Sequence, residues 1–532
     1  MSENFSSTQI VRKTVIATKA GVVAAQHRRA AEVGAAVLEA GGDAVDAAIA
    51  TSFAIGVVEP WMSGPAAGGA MVLWRANENK AHVIDFGCKS PRELNPADYP
   101  LSGAGKSSDL FPWPAVVEDR NVMGATSVAV PGVVSGMDLA HQHFGRMPWK
   151  DLVMPASHLA EEGLLVDWYT TLVTAANARV LSIDPDTAAM FLQDGQWPIA
   201  GDWTALTTRH LDQKAFARTL KQIACEGAKA FYQGDIAQQL VKDVRAKGGC
   251  LSLQDLRDYQ ASIVEPLTIA YRGGSVYATP GLTGGPTLGK ALERLSLELG
   301  SAMDQTGRPG PATYGAFARA LDAAFKLRFE KMGDHESPKA PGSTTHFSVV
   351  DRHGNMCAVT QTLLSIFGSR VVSPSTGMLL NNGIMWFDPE PGKPNSLAPN
   401  KRCLANYSPV IGEDHRGRRF AIGASGGRKI LGSVMQLISF MIDHGLSLEE
   451  AFHTPRIDVS GGGNVTADQS LPADVIAALE QVMPVIRTRR NIYPYSFACP
   501  AGVMRDGEMN MGCTEIMSPY GDAISGGDAL NS

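Results

Sequence analysis

Two neighbouring segments near residue 350 have the pattern of β-strands. Residues 346–350 alternate between two faces, with Phe347 and Val349 together on one of them. The polar turn Arg352-His353-Gly354-Asn355 follows, and 356–363 again has the composition of a strand. This pattern predicts an antiparallel β-hairpin.

In other segments the apolar residues follow patterns that are typical of helices. The stretch 44–57 is apolar almost all round, which predicts a buried helix with Asp43 as its N-cap. An alanine-rich helix is expected within 21–40, and an amphipathic helix over 311–332. Between these, 130–260 is expected to be mainly helical, with breaks at proline and glycine.

Further strands are predicted at four places, namely 70–74, 82–86, 264–279 and 419–423. The last of them leads into a glycine-rich turn and a helix over 428–443, whereas 95–120 has the composition of a loop. Because helices dominate the first part of the chain and strands the second, we expect a layered α+β fold.

The composition excludes two classes of partner. The chain has 532 residues, of which 44% are hydrophobic and 19% charged, as in ordinary globular proteins. Its formal net charge of −6 and pI of about 6.1 give no basic balance that would attract nucleic acid or an anionic membrane. We therefore expect neither as a partner.

The cysteines and the N-terminus bear on the compartment. Seven widely spaced cysteines without a C-x-x-C pair give no disulfide or zinc framework and fit a reducing environment. The first residues lack the apolar core of a signal peptide, and no apolar run of about 18 residues occurs. The sequence thus predicts a cytoplasmic protein without a membrane span.

A polar linker, 333–343, runs directly into the predicted hairpin at Thr344. There the Thr344 hydroxyl could attack the carbonyl carbon of Ser343, and hydrolysis of the resulting ester would release an N-terminal threonine. Its free α-amino group, with a pKa of about 8, would then act as the base for its own hydroxyl. This interpretation makes the chain an N-terminal-nucleophile hydrolase. The simpler interpretation is that Ser-Thr-Thr merely begins a strand.

Two features supply other groups that this chemistry needs. Thr362, on the returning strand, can place a hydroxyl beside the Thr344 amine, although strand propensity also explains a threonine there. Gly426 and Gly427, between a predicted strand and helix, can offer backbone N–H groups to an oxyanion.

The same glycine-rich turn supports a rival hypothesis. Gly423-Ala424-Ser425-Gly426-Gly427 is a G-x-S-x-G motif, which is typical of α/β-hydrolases with a serine nucleophile, here Ser425. His444 or His453 would then be the base. Both histidines lie in or just after the next predicted helix instead of on further strands, so the context of the motif is incomplete.

Several motifs occur together in the order and spacing of one family. They are Gly41-Gly42-Asp43-Ala44-Val45-Asp46-Ala47-Ala48, Ser343-Thr344-Thr345-His346-Phe347-Ser348-Val349-Val350-Asp351, Gly377-Met378-Leu379-Leu380-Asn381-Asn382, Pro399-Asn400-Lys401-Arg402 and Ser425-Gly426-Gly427. From about residue 14 to its C-terminus, the chain resembles the γ-glutamyltranspeptidase family of N-terminal-nucleophile hydrolases.

The resemblance implies a four-layer αββα sandwich and self-cleavage between Ser343 and Thr344. The products would be a large subunit, 1–343, and a small subunit, 344–532, which stay together as a heterodimer that can dimerise again. No metal or organic cofactor is implied. Catalytic roles are implied for four residues: Thr344 as the nucleophile, Thr362 as the hydroxyl that assists its amine, and Gly426 and Gly427 as oxyanion donors.

The chain departs from the family at positions that hold a γ-glutamyl group. Gly87 stands where relatives have an arginine for the α-carboxylate, and Trp386 where they have an acidic residue for the α-amino group. A serine pair is replaced by Ala405 and Asn406, and an asparagine by Leu364. These substitutions predict a more apolar, aromatic acyl pocket.

New cations also occur near these motifs. Arg370 and Arg428 could each bind a carboxylate placed differently from that of glutamate, although each could equally be a plain surface charge.

The sequence therefore predicts a self-processing amidohydrolase that acts on an amide of a small, non-glutamyl acyl group, such as an oxamate-like or other carboxylate-bearing amide. One alternative is a true glutathione hydrolase or γ-glutamyltransferase. Less favoured alternatives are a serine hydrolase that uses Ser425 and a processed but inactive binding protein.

Overall fold

The computed structural model describes residues 12–107, 113–201, 208–300, 307–332, 343–460 and 462–527. The predicted linker 333–343 lies outside these residues except for Ser343, whose backbone belongs to a strand.

The described helices are α1 (Arg28–Glu39), α2 (Ala44–Val58), α3 (Val133–Phe144), α4 (Trp149–Glu162), α5 (Trp168–Leu181), α6 (Pro185–Phe191), α7 (Lys214–Glu226), α8 (Ala228–Tyr232), α9 (Asp235–Ala246), α10 (Leu253–Asp258), α11 (Gly285–Leu299), α12 (Pro311–Met332), α13 (Lys429–Ile442), α14 (Leu448–His453) and α15 (Ala473–Glu480).

The described strands are β1 (Ile16–Thr18), β2 (Val22–Ala25), β3 (Gly68–Arg75), β4 (Lys80–Phe86), β5 (Leu101–Lys106), β6 (Pro114–Val116), β7 (Leu164–Leu165), β8 (Leu192–Gln193), β9 (Trp197–Pro198), β10 (His210–Leu211), β11 (Ser262–Val264), β12 (Leu267–Tyr271), β13 (Gly274–Ala278), β14 (Ser343–Val350), β15 (Met356–Leu364), β16 (Val410–Glu413), β17 (Arg419–Ser425), β18 (Ile457–Asp458), β19 (Val465–Asp468), β20 (Val485–Thr488), β21 (Cys499–Asp506), β22 (Met509–Thr514) and β23 (Asp522–Ser525).

Within the described ranges, two antiparallel sheets of seven strands form the centre of the molecule. Sheet I has the strand order β11-β4-β3-β15-β14-β2-β23, and sheet II has the order β1-β22-β21-β17-β16-β13-β12. The predicted hairpin, β14 with β15, lies in the middle of sheet I. The expectation of a mixed helix-and-sheet fold is confirmed.

Small apolar side chains pack where the two sheets face each other. Val72 and Ala358 of sheet I share one buried cluster with Ala421 and Val503 of sheet II. Short side chains permit a close approach of the two backbones. The approach brings the end of β17 near the start of β14.

Helices cover the outer face of each sheet. Phe53 of α2 lies in one apolar cluster with Phe347 and Val349 of sheet I, and α11, α12 and α13 bury a second cluster against sheet II. The face assignment that the sequence predicts for β14 is therefore correct.

The sequence explains why α2 begins at Ala44. The Asp43 carboxylate accepts hydrogen bonds from the N–H groups of Val45 and Asp46, and Asp46 bonds back to the N–H of Asp43. This capping box satisfies donors that a helix start leaves unpaired. Every residue of the helix is buried, as its continuous apolar composition predicts.

The helix expected within 21–40 is observed as α1, and the strand β2 that precedes it was not predicted. One prediction needs correction. The predicted loop 95–120 contains the short strand pair β5 and β6 in its described part. None of the helices in the described ranges is long and apolar enough to cross a bilayer.

Candidate active site

Thr344 lies at an irregularity in the ladder between β14 and β15. The register shifts between Ser343 and Thr345. As a result, the single residue Thr344 faces two residues of β15, Thr362 and Leu363. Such a bulge interrupts the ladder and re-aims the side chains beside it. It occurs next to the peptide bond at which the sequence predicts the cut.

The bulge brings two hydroxyl groups together. Thr344 Oγ1 donates to Thr362 Oγ1 over 3.3 Å. Thr362 Oγ1 also accepts a hydrogen bond of 2.8 Å from the backbone N–H of Leu364, which fixes its position. The structure thus places the hydroxyl of Thr362 beside Thr344.

Thr344 and Thr362 line a small cavity of about 20 Å³ in the uncut chain. This volume has room for about one water molecule. The other residues that line it are Leu364, Trp386, Asn406, Tyr407, Gly427, Arg428 and Ile430. Most of the positions predicted for catalysis and binding therefore meet at one place.

Gly426 and Gly427 form the turn between β17 and α13. Their φ angles are 131° and 60°, in a region that glycine adopts without strain. A Cβ on Gly426 would also lie only 3.0 Å from the Cα of Ala498. Neither glycine N–H has a hydrogen-bond acceptor among the described residues. Gly427 lines the Thr344 cavity, whereas Gly426 does not.

The space beside Gly87 is filled by other side chains. A Cβ on Gly87 would lie 2.5 Å from Tyr407 Oη and 3.5 Å from Arg402 Nη1. Gly87 itself does not line the Thr344 cavity, but Tyr407 does. Burial, and next the nearby carboxylate of Asp85, raise the pKa of Tyr407 well above its ordinary value. The phenol therefore stays protonated beside the cavity.

Of the remaining predicted binding positions that are uncharged, three line the cavity and one does not. Trp386 and Leu364 form an apolar wall of the cavity. The backbone of Leu364 has a φ of 89°, which is unusual for a leucine. Asn406 also lines the cavity, and Arg328 donates to its Oδ1 over 2.9 Å. Ala405 is fully buried and does not line it.

The two predicted cations lie in different places. Arg428 lines the Thr344 cavity. Arg370 lines a separate cavity of about 580 Å³ and donates to the carbonyl of Val122 over 2.9 Å. Of the two, only Arg428 is therefore placed to meet a substrate at Thr344.

Ser425, the nucleophile of the rival hypothesis, is engaged with Gln26. Its Oγ accepts a hydrogen bond of 2.6 Å from Gln26 Nε2. The proposed bases His444 and His453 bond to other parts of the chain, and within the described ranges neither bonds to Ser425. The geometry therefore does not assemble a serine–histidine pair.

A buried carboxyl group, that of Glu59, lies at the C-terminal end of α2. The residue is 3% exposed, and its Oε2 has no hydrogen-bond partner in the described part of the chain. Burial raises the pKa of Glu59 to about 8, and the nearby hydroxyl of Thr345 offsets part of that effect. Glu59 is therefore neutral at pH 7, next to the residue that follows Thr344.

We expect Glu59→Gln to flatten the dependence of stability on pH. The unfolded carboxyl ionises near pH 4.5 and the folded one near pH 8. The folded state thus holds the extra proton in this window, and stability falls as the pH rises through it. At about 1.4 kcal/mol per pKa unit, the loss amounts to several kcal/mol. Denaturant unfolding at both ends of the window measures it.

The matched control is Glu39→Gln, at an exposed carboxyl at the end of α1. It should leave the pH dependence as in the wild type. A Glu59→Gln protein that loses as much stability as the wild type between the two pH values would contradict the assignment.

Three residues around the site were not predicted: Tyr407, Gln26 and Glu59. For Tyr407 the signal was an aromatic residue directly after two predicted pocket positions. Gln26 and Glu59 are each a polar residue that directly follows a short apolar run. Polar residues at such places often lie inside a fold, where they need partners.

Comparisons with known proteins agree with the fold and the motifs. The family model described as gamma-glutamyltranspeptidase matches residues 30–343 and 336–509. The chain is 33% identical over 496 residues to the acylase ACY 1 proenzyme of Pseudomonas sp. strain V22, with 86% of each chain covered. It is 30% identical over 521 residues to the glutathione hydrolase proenzyme of Bacillus subtilis strain 168, with 88% of this chain and 85% of the relative covered.

A solved structure extends the likeness to the whole fold. The cephalosporin acylase from Bacillus halodurans superposes with a TM-score of 0.82 and 25% sequence identity, covering 98% of this chain and 99% of the other. From its motifs, its matched residues and its N-terminal-nucleophile hydrolase fold, the chain belongs to the gamma-glutamyltranspeptidase family, whose members are amidohydrolases and acyltransferases.

Proposed function

We propose that this protein is a proenzyme that cuts itself between Ser343 and Thr344 and then hydrolyses an amide of a small acyl group other than γ-glutamyl. The observation that carries the proposal is the cavity in which Thr344 meets Thr362 and Gly427. The relatives named as proenzymes support a maturation step.

Maturation starts from the hydroxyl of Thr344 in the uncut chain. Its oxygen attacks the Ser343 carbonyl carbon, the C–N bond breaks, and the acyl group moves from nitrogen to oxygen, while the hydroxyl proton passes to the Thr344 nitrogen. Water then hydrolyses the ester, which leaves a carboxylate on Ser343 and a free α-amine on Thr344. The bulge supports this step because it frees the Ser343–Thr344 peptide from a regular ladder.

Turnover uses the same hydroxyl. The free amine accepts the Thr344 hydroxyl proton as the oxygen attacks the substrate amide, and the amine of the leaving group takes that proton. The N–H groups of Gly426 and Gly427 stabilise the oxyanion. Thr362 holds the nucleophile in place, and water releases the acyl group in a second attack.

The proposed enzyme has the four-layer order of helices, sheet, sheet and helices. This order is supported by the small-residue cluster between the sheets and by the separate helical clusters on their outer faces. In it the proposed large subunit, 1–343, and small subunit, 344–532, form one core, because β3 of the former pairs with β15 of the latter. The two halves would stay associated after the cut.

The cavity wall favours an acyl group without the charged ends of glutamate. Trp386, Leu364 and Ile430 are apolar contacts, and Tyr407 fills the space beside Gly87. Arg428 is the cation that could hold a carboxylate further along an acyl chain. Acylase relatives fit a substrate of this kind.

We expect γ-glutamyl-p-nitroanilide to be a poor substrate of the processed enzyme. Loss of one partner of a buried charge pair costs about 2–5 kcal/mol. A site that lacks both the cation for the α-carboxylate and the anion for the α-amino group should therefore show a kcat/KM lower by roughly 10³-fold or more. Glutaryl-p-nitroanilide lacks only the α-amino group and is the matched control, and phenylacetyl-p-nitroanilide tests an apolar acyl group. Release of p-nitroaniline should be faster from at least one of these two than from the γ-glutamyl compound.

One observation favours the alternative of a glutathione hydrolase. Arg402 Nη1 lies 3.5 Å from where a side chain of Gly87 would begin, so a cation is still present near that position. Efficient turnover of glutathione or γ-glutamyl-p-nitroanilide, with a KM in the micromolar range, would show that other residues replace the missing charged contacts and that this alternative function is right.

A further inference from the structure

Gln26 lies where the two sheets meet, directly after β2, and is almost fully buried. Its carboxamide makes three hydrogen bonds to groups far away in the sequence. Thr345 Oγ1 donates to Gln26 Oε1 over 3.2 Å. Gln26 Nε2 donates to Ser425 Oγ over 2.6 Å and to the carbonyl of Cys499 over 2.7 Å.

The orientation of this carboxamide is fixed by its partners. The carbonyl oxygen of Cys499 can only accept, so the NH₂ group of Gln26 must face it. The oxygen of Gln26 then faces Thr345. A side chain of another length or polarity could not make all three bonds.

The partners of Gln26 are the direct neighbours of the proposed reacting groups. Thr345 follows the nucleophile Thr344 on β14 of sheet I, and Ser425 precedes Gly426 at the end of β17 of sheet II. Thr345 and Ser425 are far apart in the sequence and lie in different sheets. The single side chain of Gln26 bridges them.

We propose that Gln26 is a positioning residue that sets the separation of the nucleophile Thr344 from the oxyanion donors Gly426 and Gly427. The inference rests on the proposed function of Thr344. Gln26 does not touch the substrate and acts through Thr345 and Ser425. Without the bridge, each sheet keeps its own ladder and the sheets still pack through their small side chains, but the hydrogen-bonded link between the two halves of the site is lost.

Small shifts between the two halves of a site have large effects on rate. A displacement of about 1 Å in a reacting group can cost about 10²-fold. The effect should appear in kcat, because the distance to the oxyanion matters mainly in the transition state. KM, which reflects contacts with Trp386 and other cavity walls, should change little.

The first test compares two buried glutamines in the full chain. Gln26→Met keeps the volume and removes the bridge. Gln436→Met is the matched control: Gln436 is fully buried on α13 and makes three hydrogen bonds to the backbone of Gly432 and Ile457. Self-cleavage is followed by intact mass, and turnover of glutaryl- and phenylacetyl-p-nitroanilide is measured per processed molecule.

We expect Gln26→Met to lower kcat and the self-cleavage rate by roughly 10- to 100-fold, with KM within about twofold of the wild type. Gln436→Met should lower the melting temperature but leave both rates within about twofold. Equal rate losses in the two variants, or an unchanged kcat in Gln26→Met, would overturn the inference and identify Gln26 as merely structural.

A second variant covers the case in which Gln26→Met does not fold. Thr345→Val keeps the shape of residue 345 and removes the hydroxyl that donates to Gln26. It should lower kcat several-fold with KM unchanged, and a wild-type kcat would overturn the inference. Where both variants fold, their losses should not add, since they break the same link.

Two results separate the role of Gln26 from the proposed function. If the wild-type chain never cuts itself, the assignment of Thr344 as the nucleophile fails, and the positioning role fails with it. A wild type that cuts itself at Thr344, beside a Gln26→Met chain that does so at the same rate, overturns only the role of Gln26.

Discussion

Thr344→Ala should remain a single chain of 532 residues and should hydrolyse no amide. The substitution removes the only atom that can attack the Ser343 carbonyl in the proposed maturation, and without the cut no free α-amine forms. The loss of self-cleavage should be complete, because no other hydroxyl takes part in the proposed attack. The loss of amide hydrolysis should be complete as well, because Thr344 supplies both the nucleophile and, after the cut, the base. Denaturing gel electrophoresis and intact mass measure the first effect, and p-nitroaniline release the second.

Two controls make this result specific. Thr344→Ser keeps a hydroxyl and should still cut itself, although more slowly. Ser425→Ala removes the rival nucleophile and should still give two fragments, with activity reduced by less than about tenfold. A cleaved Thr344→Ala protein would contradict the nucleophile assignment, and complete loss of activity in a normally processed Ser425→Ala protein would favour the serine hydrolase.

Gly427→Pro and Gly426→Pro should each reduce turnover by about 10²- to 10³-fold. Proline has no N–H, so each variant removes one proposed oxyanion donor, a change that typically costs about 2.7–4 kcal/mol of transition-state stabilisation. The measurement is kcat per processed molecule on the best p-nitroanilide.

Both glycines have positive φ angles that proline cannot adopt, so a backbone control is required. Gly417→Pro also places proline at a positive φ, here 81°, but in a turn where an added Cβ would meet nothing within 4 Å. It should keep near-normal activity. Near-normal activity in folded Gly426→Pro and Gly427→Pro would mean that the oxyanion donors lie elsewhere.

Elements with strong local signals were predicted well from the sequence. The amphipathic helix over 311–332 is observed with those bounds as α12, and the hairpin and the capped helix α2 are also observed. The periodicity of α12, the cap of α2 and the turn residues of the hairpin agree with the final fold. Such agreement between local and global preferences is what makes an element predictable.

Strand β2 shows why other elements were not predicted. Its sequence, Val-Val-Ala-Ala, gives no alternation and adjoins an alanine-rich helix. It becomes a strand because it pairs on both sides, with β14 and with β23, whose residues are more than a hundred positions away. Tertiary pairing of this kind overrides a weak local preference.

The candidate site was predictable as a set of residues but not as a geometry. The motifs identified Thr344, Thr362 and Gly427, which the fold brings to one cavity. From the sequence, Gly87 predicted only the loss of a contact with the α-carboxylate. Nothing in the local sequence shows that Tyr407 fills the space where a side chain at position 87 would lie. The bridge through Gln26 depends on two sheets meeting, which is likewise a property of the folded chain.

The proposed function requires that this chain releases Thr344 as a new N-terminus. Intact-mass spectrometry and N-terminal sequencing of the purified wild-type protein measure this release. We expect two polypeptides that remain associated under native conditions, the smaller of them beginning at Thr344 and running to Ser532. An uncut chain that still hydrolyses amides, or a cut that leaves Thr344 inside a fragment, would contradict the proposed function.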